Sequence, residues 1–174
     1  MGRAAEYEAN LLVEKRQKVA EQIQETVDLI EDHCLEIPEY SYLLTIPGFG
    51  PYISAKVLAS IGDPFRFENT NQVVRMVGYD LCANRSGKTS HTAVPVISKK
   101  GNGELRYALY QAALIASSRT DLFRAYFTKL LRGRERERGI KTKMRVKLAV
   151  KMLIIAWTLM KKKEPFDPKY LNID

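Results

Sequence analysis

The sequence predicts a mainly α-helical protein: a long, coiled-coil-like N-terminal helix, then a compact helical domain carrying a glycine-lined bend and one long functional loop. Three observations predict it. Apolar residues recur at three- and four-residue steps along most of the chain. No segment sustains the apolar–polar alternation of a half-buried strand. Gly and Pro gather between the periodic segments and leave the segments themselves almost clean. A length of 174 residues suits one domain with an appendage. The expected boundaries are 1–38 for a connector or dimerisation helix, 39–164 for the helical domain and 165–174 for a tail.

From Ala4 to about Leu35 there is no Gly or Pro, and Leu12, Val13, Val19, Ala20, Ile23, Val27, Ile30 and Cys34 keep helical spacing. Arg16 and Thr26 fall where a strict heptad seam wants apolar groups, so pairing with another chain and packing on its own domain are both open. About 30 residues at 1.5 Å each give a rod on the order of 45 Å, longer than a small domain needs. The excess points to a homo-oligomer formed through this helix, or to a connector from a preceding part of a longer chain. After Pro38, Tyr40–Leu44 reads as a short helix, and a second follows the bend in "TIPGFGPYISAKVLASIGD". "NTNQVVRMVG" predicts a helix over Asn69–Val77, capped by Asn69 or Thr70. Residues 78–103 lose the pattern and form the long loop, with a short hairpin expected around Thr92–Ile97. "ELRYALYQAALIASS" and "DLFRAYFTKLLRG" are two further helices, the second entered at Thr120 or Asp121. A charged turn leads to a last helix from about Thr142 to Lys162, and the remaining tail is expected to be extended.

Charge narrows the function classes. Residues 1–40 hold four Lys/Arg against ten Asp/Glu, whereas residues 41–174 hold 24 against ten. A compact part with that excess attracts a polyanion, and DNA is the expected partner. The apolar run Val146–Met160 is too short and too broken by lysines to span a bilayer, and no N-terminal apolar segment reads as a signal, so no membrane is expected. Two cysteines do not make a disulfide framework, which suits a reducing, cytoplasmic location. The acids after Tyr40 are scattered, and His33, His91, Cys34 and Cys82 lack zinc spacing. No metal site and no cofactor are therefore expected in this chain.

In "IPGFGPYISAKVLASIG", Pro47 ends one helix and Pro51 opens the next. Gly48 and Gly50 can both take positive φ, allowing a very short bend whose free N–H groups point outward from a helix N-terminus. Such a site binds a phosphate. With the apolar set Leu44, Ile46, Ile53, Val57, Leu58 and Ile61, the stretch resembles a helix-hairpin-helix motif, in which the hairpin holds the DNA backbone without reading sequence. Gly48, Gly50 and Lys56 are its candidate nucleic-acid contacts. Lys99, Lys100, Asn102 and Arg106 form a second glycine-flanked basic turn, with a solvated loop as the other reading, and Lys141, Lys143 and Arg145 are further candidates. The aromatic and apolar stripe that includes Tyr107, Tyr110, Phe123, Tyr126, Phe127 and Trp157 is expected to be mostly core.

The order of the bend, a Phe-rich link, a short helix ending in Gly, "RSGKTS", "ISKKGN" and "LRYALYQAA" closely resembles the C-terminal transposase domain of insertion-sequence transposases that pair it with an N-terminal RuvC-like DEDD domain. The resemblance covers about Tyr40–Met160. "GYDL" departs from the usual Gly-Leu-x-Pro, and residues 1–40 match only the coiled-coil connector. What the resemblance implies for the intact protein is DNA strand cleavage and rejoining, with Mg²⁺ on the acids of the RuvC-like half and, in some members, a structured guide RNA. It implies that Ser86 is the nucleophile that becomes joined to DNA, and that this half alone is inactive. Arg85 and Lys88 flank Ser86 and would hold the scissile phosphate, while Ser90 and Ser98 lack the adjacent glycine. The alternative is a non-catalytic helix-hairpin-helix module that only binds nucleic acid.

Overall fold

The computed structural model describes residues 2–82 and 96–171, and it is mainly helical with little strand. The uninterrupted helical period produces α1, Arg3–Leu35, of 33 residues, about 50 Å long. None of its residues is buried. Only its last turns are covered: Val27, Ile30, Glu31 and Cys34 are half-buried where α1 meets α2 and α3. There Tyr40 is fully enclosed, and burial, with the Glu31 charge adding, pushes its phenol upward.

Pro38 at the first helical position starts α2, Pro38–Leu44, and Pro51 starts α3, Pro51–Ile61. A 3-10 turn, Pro64–Arg66, follows, with the Asp63 carboxylate accepting from the Phe65 N–H at 2.9 Å. Asn69 caps α4, Thr70–Val77, by accepting from the Gln72 N–H at 3.2 Å. Leu81–Cys82 (β1) and Val96–Ile97 (β2) pair antiparallel, Leu81 opposite Ile97 and Cys82 opposite Val96. This ladder forms part of the expected hairpin, but its partner strand is Leu81–Cys82; residues 92–95 lie outside the described residues. Asn102 caps α5, Gly103–Arg119, and Thr120 leads into α6, Asp121–Leu131. The charged turn holds an Arg134–Glu137 pair joined by two hydrogen bonds of 2.8 Å, then α7 runs Ile140–Lys162.

α7 is the central element because its second half is apolar on almost every side. Met152, Leu153, Ile155, Ala156, Leu159 and Met160 are all buried, and α7 touches α2, α3, α4, α5 and α6. α5 presents a smaller face, Ala108, Ala112, Ala113 and Ala116, all buried. Trp157 ties α7 to the 3-10 turn by donating its indole N–H to the Pro64 carbonyl at 2.8 Å. Two expectations change here. Tyr107, assigned to the core stripe, is 66% exposed because it falls on the outer side of α5. The extended tail is anchored: Phe166 stacks on Phe123 at 5.9 Å between centroids, and a 3-10 turn, Pro168–Leu171, buries Leu171.

Two close backbone approaches require glycine. Gly48 has φ +97°, and a Cβ there would lie 3.0 Å from Ala116 Cβ and 3.1 Å from the Ala112 carbonyl oxygen. Gly101 lies flat on the end of α4, where a Cβ would stand 2.3 Å from the Met76 carbonyl oxygen and 2.4 Å from the Gly78 nitrogen. Neither neighbour is a flexible side-chain tip. Gly48→Ala and Gly101→Ala should each destabilise the domain by about 1–3 kcal/mol through overpacking and, at Gly48, backbone strain. Chemical denaturation checks this, and midpoints equal to the unmodified chain's would contradict the packing described.

Candidate nucleic-acid interface

The bend between α2 and α3 separates its two glycines into different roles. Thr45 ends α2, the Phe49 N–H closes onto the Ile46 carbonyl at 2.9 Å, and Gly48 turns inward onto α5. Gly50 does not take the positive φ expected of it. It is the N-cap of α3 at φ −103°, ψ −179°, extended backbone open to any residue. A Cβ added there meets nothing within 4 Å. Neither conformation nor packing inside the chain therefore calls for glycine at position 50. No side chain caps α3, and the Pro51 ring supplies no donor, so the N–H groups of Tyr52 and Ile53 in its first turn have no intrahelical acceptor. With the helix dipole, these donors give the head of α3 a positive potential directed past Gly50.

α3 lies antiparallel to α5. Gly48 rests on Ala112 and Ala116 near the end of α5, Lys56 reaches Glu104 in its first turn, and Ser60 Oγ accepts from Asn102 Nδ2 at 3.3 Å. Lys56 is not a free cation. Its ammonium sits 2.7 Å from Glu104 and 3.1 Å from the Tyr52 hydroxyl, over whose ring it also lies. The Glu104 hydrogen bond raises the lysine's pKa and lowers the carboxylate's.

At the other end of α3, about 16 Å along the helix, the root of the long loop is tightly built. Gly78 closes α4 in the left-handed region, and Lys99, also at positive φ (57°), donates its N–H to the Gly78 carbonyl at 3.0 Å. Ser98 donates from both its N–H, at 2.7 Å, and its Oγ, at 2.5 Å, to Asp80. Asn102 donates its N–H to Met76 at 2.9 Å while its carboxamide oxygen caps α5. Arg106 donates to the Val77 carbonyl at 2.9 Å, and the Tyr79 hydroxyl donates to the Arg106 carbonyl at 2.8 Å. Burial pushes the Tyr79 phenol far upward. Of the four candidates in this turn, Asn102 and Arg106 thus hold the loop root together, and Lys99 and Lys100 are exposed. Ser86, Arg85 and Lys88, with Ser90 and His91, lie outside the described residues.

The third cluster stands apart. Lys141 and Lys143 are exposed at the start of α7, about 35 Å along that helix from Lys163, which pairs with Glu39 of α2 at 3.7 Å. Arg145 is half-buried, its guanidinium 5.5 Å from the Phe127 ring centre and its Nε enclosed without a partner. The interlock of Gly78 with Gly101 was not legible beforehand. Its only signal was a glycine after each of two short basic or apolar runs, which many turns share. Among the described residues, no three His, Cys, Asp or Glu side chains converge, and no helix is long and apolar enough to cross a membrane.

Comparison with known proteins places these elements. A "pilin gene-inverting protein" of Moraxella bovis is 29% identical over 131 residues, covering 74% of this chain and 39% of that protein. A protein of the same name from Moraxella lacunata is 29% identical over 138 residues, covering 76% and 41%. The chain thus spans about two-fifths of the length of these curated relatives. The family model for transposases of the IS116/IS110/IS902 family matches residues 40–128, which run from Tyr40 in α2 through the bend, α3, α4, the loop root and α5 into α6. Since the match takes in the bend, the loop and most of the helices that carry them, the chain belongs to the IS116/IS110/IS902 transposase family.

Proposed function

We propose that this chain is the DNA-binding, serine-bearing half of an insertion-sequence recombinase, acting in the cytoplasm. Its α2–α3 bend is a helix-hairpin-helix whose outer end holds a backbone phosphate. The observation that carries this reading is Gly50, a glycine that neither φ nor packing calls for, standing before the uncapped head of α3. A missing Cβ at that place leaves room for a phosphate oxygen to approach the first-turn N–H groups. The 24 Lys/Arg against ten Asp/Glu in residues 41–174 supply the long-range attraction, and the family membership and the relatives' name support a part in DNA recombination. Lys56 joins this surface only where a phosphate outcompetes Glu104.

In the intact protein, Ser86 is the nucleophile. Its Oγ attacks a backbone phosphorus, the P–O bond to one strand end breaks, the hydroxyl proton passes to a base, and the other strand end stays joined to the serine. Mg²⁺ would supply charge neutralisation at the scissile phosphate. We assign that ion to the acids of the RuvC-like half, which the resemblance places ahead of this chain. A structured guide RNA, used by some members of the family, and self-association through α1 complete the reading.

Gly50→Val tests the hairpin. The substitution should weaken binding to two unrelated duplexes equally, by about tenfold, or about 1.4 kcal/mol, while costing the fold under about 1 kcal/mol at the cap. Fluorescence anisotropy and thermal unfolding measure the two effects. A folded variant that binds as before would remove the phosphate cradle.

Ser86→Ala tests the chemistry in the full-length protein. Loss of the covalent protein–DNA adduct, with duplex binding retained within about threefold, is expected because the change deletes the attacking atom and few phosphate contacts. An adduct that persists would move the nucleophile elsewhere and leave this chain as a binding module.

A further inference from the structure

We propose that Phe65 is a stacking platform for an unpaired base of a DNA strand, with the Lys161 ammonium placed to meet the phosphate beside that base. The inference rests on the reading of this chain as a DNA-binding half and adds to it a single-stranded substrate, which a grip on the backbone alone does not select. Phe65 is 62% exposed, and among the described residues it is the only exposed phenylalanine. Its neighbours Pro64 and Phe67 are both buried. A single apolar ring in water is common on protein surfaces. What surrounds this one is not. Both polar atoms of the Pro64–Phe65 peptide are engaged: the carbonyl accepts from the Trp157 indole at 2.8 Å, and the N–H donates to the Asp63 carboxylate at 2.9 Å. The turn therefore presents the ring from a fixed backbone.

Cations frame the ring. Lys161 Nζ lies 5.4 Å from the Phe65 centroid and 4.6 Å from that of the Trp157 ring. Arg66 is exposed, lies 4.6 Å from the Phe67 centroid and donates from Nη2 to the Ser60 carbonyl at 2.9 Å. Among the described residues neither cation forms an ion pair with a carboxylate. A flat aromatic face with unpaired positive charge at its edge suits a nucleobase and its phosphate. An apolar pocket on a protein would instead have to close over the Lys161 ammonium with nothing to neutralise it. Position selects a DNA strand. Ser60 accepts from Arg66 through its carbonyl and from Asn102 through its hydroxyl, so one residue joins this turn to the root of the long loop. A base stacked on Phe65 thus belongs to a strand passing the root of the loop that carries the proposed nucleophile. Exchange of strand ends requires bases to leave their partners, and a ring held in advance lowers the cost of keeping one of them apart.

The probe is a single-stranded DNA oligonucleotide of about ten nucleotides carrying a fluorescent adenine analogue whose emission falls when it stacks. At saturation the full chain should quench it. Phe65→Ala and Phe65→Leu should each remove most of the quench and weaken binding about tenfold, whereas Phe65→Trp should keep both within about threefold. Lys161→Gln should weaken the same binding and flatten its log–log salt dependence by about 0.7, the loss of one single-strand phosphate contact. The Phe65 variants should bind a blunt duplex within about twofold of the unmodified chain. A quench that survives Phe65→Leu, a Phe65→Trp variant that lacks it, or a parallel loss on the blunt duplex would each overturn the platform. An RNA oligonucleotide of the same length that binds more tightly than the DNA, with the same loss at Phe65→Ala, would overturn the assignment to DNA. Gly50→Val keeps the two readings separate, because it should weaken the blunt duplex while leaving the quench at saturation unchanged, and either effect can fail without the other.

Discussion

The approach of the α2–α3 bend to α5 governs the rest of the domain. Ala112 and Ala116 leave a shallow face on α5, and Gly48 has no Cβ, so two backbones meet almost without side chains between them. That contact fixes where α2 ends and in which direction α3 departs. It brings Lys56 beside Glu104 and Ser60 beside Asn102, and through Asn102 it sets the loop root against α4. A bulkier residue on either side of the contact would change the angle of α3 and, with it, the separation of the bend from the long loop. The bend and the root of the long loop are thus spaced by one helix, whose length is set by its sequence.

Electrostatics in this protein are arranged on two scales. Over the whole chain, acid is concentrated in α1 and base in the remainder. Locally, several cations are already committed: Lys56 to Glu104, Arg134 to Glu137, Arg106 to the Val77 carbonyl, and Arg145 to the Phe127 face. The exposed pairs contribute little to stability, because water screens them. Their greater effect is on where a polyanion can find unpaired charge. Of the candidate contacts, Lys99, Lys100, Lys141 and Lys143 are exposed, at two places rather than one.

Most of the fold was legible because its helices are long, amphipathic and bounded by Pro, Gly, Asn or Thr. The cap at Asn69, the Pro-led starts of α2 and α3 and the salt-bridged turn before α7 follow from local chemistry that neighbours only reinforce. What escaped the sequence depends on contacts between distant residues. The exposure of Tyr107 and the anchoring of Phe166 and Leu171 are both decided by which face a helix turns inward. The candidate site was half legible. A Gly-x-Gly bend announces a tight turn, yet it does not say that Gly48 serves packing while Gly50 stands free. Asn102 and Arg106 carry the same polar side chains whether they meet a phosphate or hold a backbone, and only the geometry at Gly78 and Gly101 assigns them to the second task.

The C-terminal segment adds a second restraint on the bend. Thr45 Oγ1 donates to the Tyr42 carbonyl at 2.6 Å and accepts from the Phe166 N–H at 2.8 Å, so the segment after α7 grips the end of α2 while α5 supports Gly48. A loop held at both places is ordered before any ligand arrives. Fixing one backbone residue costs about 1–2 kcal/mol of entropy, and a rigid bend has already met that cost in folding. Contacts that are individually feeble, such as a phosphate against two or three amide hydrogens, can then be retained almost in full as affinity. On the proposed reading, in which this preset geometry meets only the sugar–phosphate chain, the grip would be equally firm at every step along a duplex, leaving the choice of sequence to other parts of the assembly.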